Sequence, residues 1–188
     1  LGESLVQKLD VPVLFYSAAF GGTNMEQNYK AIKGIPFIAF ENVVTNGMPY
    51  VNLKNALIRY VPTTGLRAIL ALHGENDVGS SKDDVVKYYQ TTIEQSRLDA
   101  NQPTLPWMVA ISSFKGNRVD ANVTNAQRDV IATTPNVFQG PNLDENPDPA
   151  FRNPFPDLLH YTAAGQAEMA RRWNRALDSN FFALAPPI

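Results

Sequence analysis

Only a few residue types on this chain can carry chemistry. It has no cysteine and just two histidines, His73 and His160. Thiolate nucleophiles, cysteine–zinc sites and iron–sulfur ligation are therefore excluded within it, as is a three-histidine metal site. Nothing stands at the spacing of a calcium loop. The most chemical pair is Asp157-x-x-His160. A carboxylate three residues before a histidine can accept the proton of one ring nitrogen. That fixes the tautomer and leaves the other nitrogen as a base. The same spacing also suits a surface aspartate beside a helix-capping histidine. His73 closes an apolar run and suits a packed position better than a base. Two further polar clusters are Gly21-Gly22-Thr23-Asn24 and Gly74-Glu75-Asn76-Asp77. Asn76 could aim its amide donors at a developing oxyanion, and the N–H of Gly21 or Gly22 could add another. Both clusters also fit ordinary turns. Glu75 and Asp77 could hold a hard cation or act as general acids, and Glu75 could equally be a buried carboxylate tied to backbone donors. Tyr16, Phe20, Tyr29, Tyr50 and Phe151 are candidates for lining a sugar site, whereas Trp107 and Trp173 sit in apolar patterns and read as core.

These residues need elements to position them. Leu5 to Leu9 has the pattern of a short helix end, stopped by Pro12. Val11 to Tyr16 is nearly all apolar, which predicts a strand buried on both faces of a parallel sheet. Residues 24–52 have weak periodicity and read as a long excursion, with 35–40 a short strand or packed loop. Leu53 to Tyr60 is helical in pattern. Arg67 to His73 is the second strand candidate. Ser81 can cap a helix that has Asp83 and Asp84 in its first turn and runs to about Leu98. Pro106 to Ser113 is the third strand, Asn122 to Thr133 a helix, and Asn136 to Gln139 a short fourth strand. Gly140 to Pro156 reads as a loop, and Thr162 caps a last helix reaching Asn180. Strands alternating with helices predict an α/β fold, a parallel sheet covered on both faces. Ligands of such sheets bind outside the carboxyl ends of the strands, where all three polar clusters fall.

Composition narrows the field further. The 188 residues carry 16 Lys+Arg against 18 Asp+Glu, a net charge of −2. No positive field favours nucleic acid. No run of 18 apolar residues suggests a membrane span. One domain is the expectation at this length.

In order, these pieces resemble an SGNH, or GDSL-type, hydrolase, and most of all the sialate O-acetylesterases and related carbohydrate acetylesterases. PVLFYSAAFGGT is similar to the family's second block, a strand ending in an oxyanion glycine. RAILALHGEND is similar to the third block in its Gly-x-Asn-Asp form. Asp157-x-x-His160 followed by YTAAG is similar to the fifth, and residues 125–138 to the segment carrying Ala-Gln before the last strand. The resemblance implies a three-layer α/β/α, flavodoxin-like fold and a serine esterase that removes O-acetyl groups from carbohydrates. His160 would be the general base and Asp157 its orienting carboxylate. Asn76 with Gly21 or Gly22 would form the oxyanion hole, supported by Glu75 and Asp77. No cofactor or metal is implied, and a secreted or periplasmic setting is.

The chain departs from the family at its first block, the Gly-Asp-Ser or Gly-Gln-Ser turn that holds the nucleophile. None of the eight serines (Ser4, Ser17, Ser80, Ser81, Ser96, Ser112, Ser113 and Ser179) has that context. The nucleophile and the strand before it are therefore expected upstream of Leu1, with residues 1–188 the C-terminal major part of one domain. The missing piece would belong to the same polypeptide or be a separate chain. The competing readings are an inactive carbohydrate-binding or scaffold module and a flavodoxin-like structural domain. Loops 24–52 and 140–156 would shape the sugar pocket. Arg152 is the only arginine in either, which favours acetylated glycans in general over a carboxylate-bearing sugar such as sialic acid.

Overall fold

The computed structural model describes residues 1–145 and 149–185. Its elements are α1 (Gly2–Leu9), α2 (Met25–Lys33), β1 (Phe37–Ala39), β2 (Asn42–Val44), α3 (Tyr50–Arg59), α4 (Val61–Thr64), β3 (Ile69–Ala71), α5 (Lys82–Asp99), β4 (Trp107–Ile111), α6 (Ala121–Thr133), β5 (Val137–Asn142), α7 (Ala163–Ala176) and α8 (Ser179–Leu184). Strands β3, β4 and β5 form a parallel sheet in that order. β4 is the middle strand, and its five residues Trp107 to Ile111 are all buried. Alternate side chains of β4 feed two cores, as the pleat requires. Trp107 and Val109 join Leu57, Val85, Tyr89, Ile93, Ala126 and Val130 beneath α3, α5 and α6. Met108 and Ala110 join Leu5, Trp173, Leu177 and Phe181 beneath α1, α7 and α8. This is a mixed α/β fold with helices flanking a parallel sheet, consistent with a flavodoxin-like architecture.

Helix starts follow local chemistry. The Ser81 hydroxyl accepts from Asp84 N–H, Thr162 from Gly165 N–H, and the Asp120 carboxylate from the N–H groups of Asn122 and Val123. Each satisfies donors that the first helical turn leaves free. The expected single last helix is two. It breaks at Leu177, and the Asp178 carboxylate caps α8 by accepting from Phe181 N–H. The excursion at 24–52 contains α2, whose start is a capping box. Asn24 and Gln27 each take the other's backbone N–H, so Asn-x-x-Gln was the signal. It also holds the β1–β2 hairpin, which stands apart from the main sheet.

Two strand expectations are corrected. The fourth strand does not stop at Gln139 but runs through Gly140 and Pro141 to Asn142, inside the expected loop. A register shift between Val109 and Ile111 accommodates it. At Gly140 a Cβ would lie 3.0 Å from the Val109 and Ala110 backbones, so any larger residue would push β4 and β5 apart by a few tenths of an ångström. Residues 146–148 of that expected loop lie outside the described residues. The larger correction concerns Val11 to Tyr16, which is not a strand. Among the described residues, no backbone–backbone hydrogen bond involves residues 11–23. Leu14 is 67% exposed and Phe15 50%. The apolar character of this segment is not matched by a ladder partner. At the sheet, β3 is an edge strand. Ile69 N–H donates to Pro106 O, so Ile69 and Ala71 turn their backbone groups to β4. Leu70, between them, turns its own toward the edge, where no strand lies among the described residues.

Candidate active site

The loop before α7 builds the Asp157–His160 pair. It is a closed excursion pinned by an isolated antiparallel bridge between Arg152 and Tyr161. Within it Asn153 N–H donates to His160 O at 2.8 Å and Thr162 N–H to Phe151 O at 3.0 Å. His160 Nδ1 lies 2.8 Å from Asp157 Oδ1, and the His160 backbone N–H reaches the same oxygen at 3.3 Å. Asn153 Nδ2 donates to the other carboxylate oxygen at 2.8 Å. The Asn153 amide, and after it the His160 ring and backbone N–H, hold the Asp157 carboxyl down at about 2. An ionised Asp157 accepts a hydrogen bond from Nδ1–H, so the basic lone pair is on Nε2. The His160 side chain is 76% exposed, and among the described residues nothing bonds to its Nε2.

The carboxyl end of β3 carries the second group. Gly74 has φ 144°, and a Cβ there would fall 1.9 Å from Ser112 O, so the chain needs glycine to pass β4 this closely. Past it, Asn76 Nδ2 reaches Thr23 O at 3.4 Å, which brings the Gly21-Gly22-Thr23 turn to Asn76. Gly22 is left-handed, with φ 77°, and Thr23 Oγ1 donates to Phe20 O at 2.7 Å. The Asn76 amide oxygen accepts from Lys115 Nζ at 2.8 Å.

Glu75 and Asp77 are engaged internally. Asp77 is fully buried. Its Oδ1 accepts from Met25 N–H at 2.8 Å, and its Oδ2 lies 3.2 Å from His73 Nδ1. It ties the start of α2 to the end of β3, and His73 is its packed partner. Glu75 Oε1 accepts from Ser112 Oγ at 2.8 Å and stands 4.0 Å from the Arg152 guanidinium. It is thus held by a side-chain hydroxyl and a cation rather than by backbone donors.

Arg152 is buried and not available to a substrate carboxylate. Its guanidinium donates to Leu159 O and Tyr161 Oη and stacks 3.7 Å from the Tyr161 ring centroid. Through Glu75 it joins the His160 loop to the carboxyl end of β3, on the rim that also carries Asn76. Among the described residues, however, no hydrogen bond links His160 to Asn76 or to the glycine turn.

Three residues not named as site candidates in the sequence complete the rim. Gln127 is fully buried. Its Oε1 accepts from Ser112 N–H at 2.9 Å, and its Nε2 donates to Ser112 O at 2.9 Å and His73 O at 2.8 Å. It staples the ends of β3 and β4, and its only signal was the Ala126-Gln127 pair of the family resemblance. Asp144 accepts from Ser113 Oγ and Phe114 N–H, and burial pushes its carboxyl up. Lys115 gave no sequence signal.

Of the aromatic candidates, Tyr50 is corrected. It is buried and its hydroxyl donates to Asp99 at 2.7 Å, out of reach of a sugar. Tyr16 stacks on Tyr60, and Tyr29 packs on Tyr88. Ser112 and Ser113 are buried with their hydroxyls committed, and among the described residues no serine hydroxyl bonds to His160. No described helix is long and apolar enough to cross a membrane. No family model, curated protein or solved structure matches this chain.

Proposed function

We propose that residues 1–188 are the larger part of an SGNH-type serine esterase domain that removes O-acetyl groups from carbohydrates. In this reading the nucleophilic serine lies on a strand upstream of Leu1. The observation that carries the reading is the Asp157–His160 pair: Nδ1 is held at 2.8 Å by an ionised carboxylate and Nε2 is open. His160 Nε2 takes the serine proton as Oγ attacks the acetyl carbonyl, then returns it to the departing sugar oxygen. A water activated by the same nitrogen releases acetate from the acyl-serine. Asn76 Nδ2 and a glycine N–H of residues 21–22 donate to the oxyanion.

The sheet edge supports the upstream strand. Leu70 offers unpaired backbone there. Val13 packs into the same core as Ala68, Leu70 and Leu72, while among the described residues its segment makes no backbone–backbone hydrogen bond. An apolar parallel strand lying between them would pair both. Helix α1 covers one face of the sheet through Leu5, where a crossover helix from such a strand to Val11 would lie. A serine ending that strand would stand on the rim with Asn76.

The absence of a serine hydroxyl on His160 among the described residues favours a second reading, a carbohydrate-binding module without turnover. Acetate release from an acetylated glycan by the complete polypeptide separates the two. Under the esterase reading, His160→Ala lowers kcat about a thousandfold or more. Undiminished turnover in that variant rejects it, and glycan binding without acetate release establishes the second reading.

A further inference from the structure

Two neighbours set the Asn76 amide, Thr23 O and Lys115, and the shorter contact is to Lys115. A side-chain amide has two settings related by a half-turn, and one would point a carbonyl where the oxyanion reading needs a donor. The contact to Thr23 O is long, at 3.4 Å, and holds the amide weakly. Lys115 Nζ lies 2.8 Å from Oδ1. An ammonium only donates, so it accepts the amide in a single setting, with Oδ1 toward Lys115 and Nδ2 toward the glycine turn.

The backbone that carries Lys115 is tied by hydrogen bonds although its side chain is in solvent. Lys115 N–H donates to Arg118 O at 3.0 Å and Arg118 N–H to Lys115 O at 3.3 Å. The two residues between, Gly116 (φ 58°) and Asn117 (φ 62°), are the types that tolerate a left-handed pair. Phe114 N–H, one residue before, is held by the Asp144 carboxylate at 3.1 Å. Arg118 carries an equal charge on the same turn, and among the described residues its side chain makes no hydrogen bond with Asn76.

We propose that Lys115 is a positioning residue, and that its ammonium fixes the Asn76 amide with Nδ2 turned to the site and polarises it as a donor. This rests on the esterase reading, in which Asn76 serves the oxyanion. In the complete polypeptide, Lys115→Met lowers kcat on an acetylated glycan about tenfold. KM and Tm stay unchanged, because the side chain lies in solvent and touches no core. Lys115→Arg restores most of the loss, and Arg118→Met changes kcat less than twofold. The Asn76 side-chain amide resonances shift and broaden in Lys115→Met and keep their wild-type positions in Arg118→Met. An active wild type whose kcat survives Lys115→Met overturns the positioning role and leaves the esterase standing. Equal losses from Lys115→Met and Arg118→Met overturn it too, since they report a general field and not an amide setting. Asn76 resonances indifferent to Lys115→Met overturn the contact whatever the turnover. A wild type without turnover overturns both readings.

Discussion

Replacing Gln127 with leucine tests whether the rim is held by one buried amide. Gln127 is wholly inaccessible and bonds three backbone groups. Leucine has similar bulk but no polar atom. His73 O keeps the Tyr89 hydroxyl at 3.0 Å, so it is not orphaned. Ser112 loses the partners of both its N–H and its C=O, inside the protein. A buried group left without a partner costs about 1–3 kcal/mol. Two such groups give about 4 kcal/mol, and the more apolar side chain returns about 1 kcal/mol of that. The net expectation is a loss of about 3 kcal/mol, against a typical total of about 5–15 kcal/mol. With a urea slope of about 2 kcal/mol/M, the unfolding midpoint falls by about 1.5 M. Equilibrium urea unfolding of wild type and variant, followed by far-ultraviolet circular dichroism, reads this directly. Gln127→Glu keeps the acceptor for Ser112 N–H but sets a carboxylate against two carbonyl oxygens, so it should destabilise at least as much. A loss below about 1 kcal/mol in both variants would refute the reasoning, because Ser112 would then have other partners.

Two further predictions concern the acid–base pair and the sheet edge. The Asp157 carboxyl titrates at about 2 in the fold, below the roughly 3.9 of an unfolded aspartate. Its stabilising contribution is therefore present above about pH 4 and lost as pH falls through about 2. Carbon-detected NMR titration should show that low value in the wild type and an upward shift in Asn153→Ala. An Asp157 that ignores the variant removes Asn153 as the main cause. For the edge, hydrogen exchange of alternate amides between Val13 and Tyr16 in the complete polypeptide should be slowed at least a hundredfold relative to unstructured chain, because the proposed strand pairs them. Exchange at the unstructured rate there would mean that nothing fills the edge beside β3.

Legibility in the sequence followed the range of the interaction. The caps at Ser81 and Thr162 act within three residues, and both helices begin where those residues predict. The Asn24–Gln27 box is just as local. The all-apolar run at β4 became a strand because it is covered on both faces. The equally apolar Val11 to Tyr16 did not, since a strand needs a partner and composition cannot supply one. Asp157 and His160 were legible as a pair because one loop turn joins them. The bonds from Lys115 to Asn76, Arg152 to Glu75 and Gln127 to His73 join residues 39, 77 and 54 positions apart, so no spacing rule reaches them.

By itself the amino-acid sequence determined the alternation of helix and apolar strand, the helix caps, and the short list of side chains able to move a proton. These are properties of neighbouring residues and of side-chain chemistry. Only the tertiary structure decided that Asp77 and Glu75 are spent on holding the rim, that Arg152 is locked under Tyr161, and that β3 is the edge of the sheet among the described residues. Burial and long-range pairing arise only when distant segments meet, and those two quantities decide whether a polar group is free to act or committed to the fold.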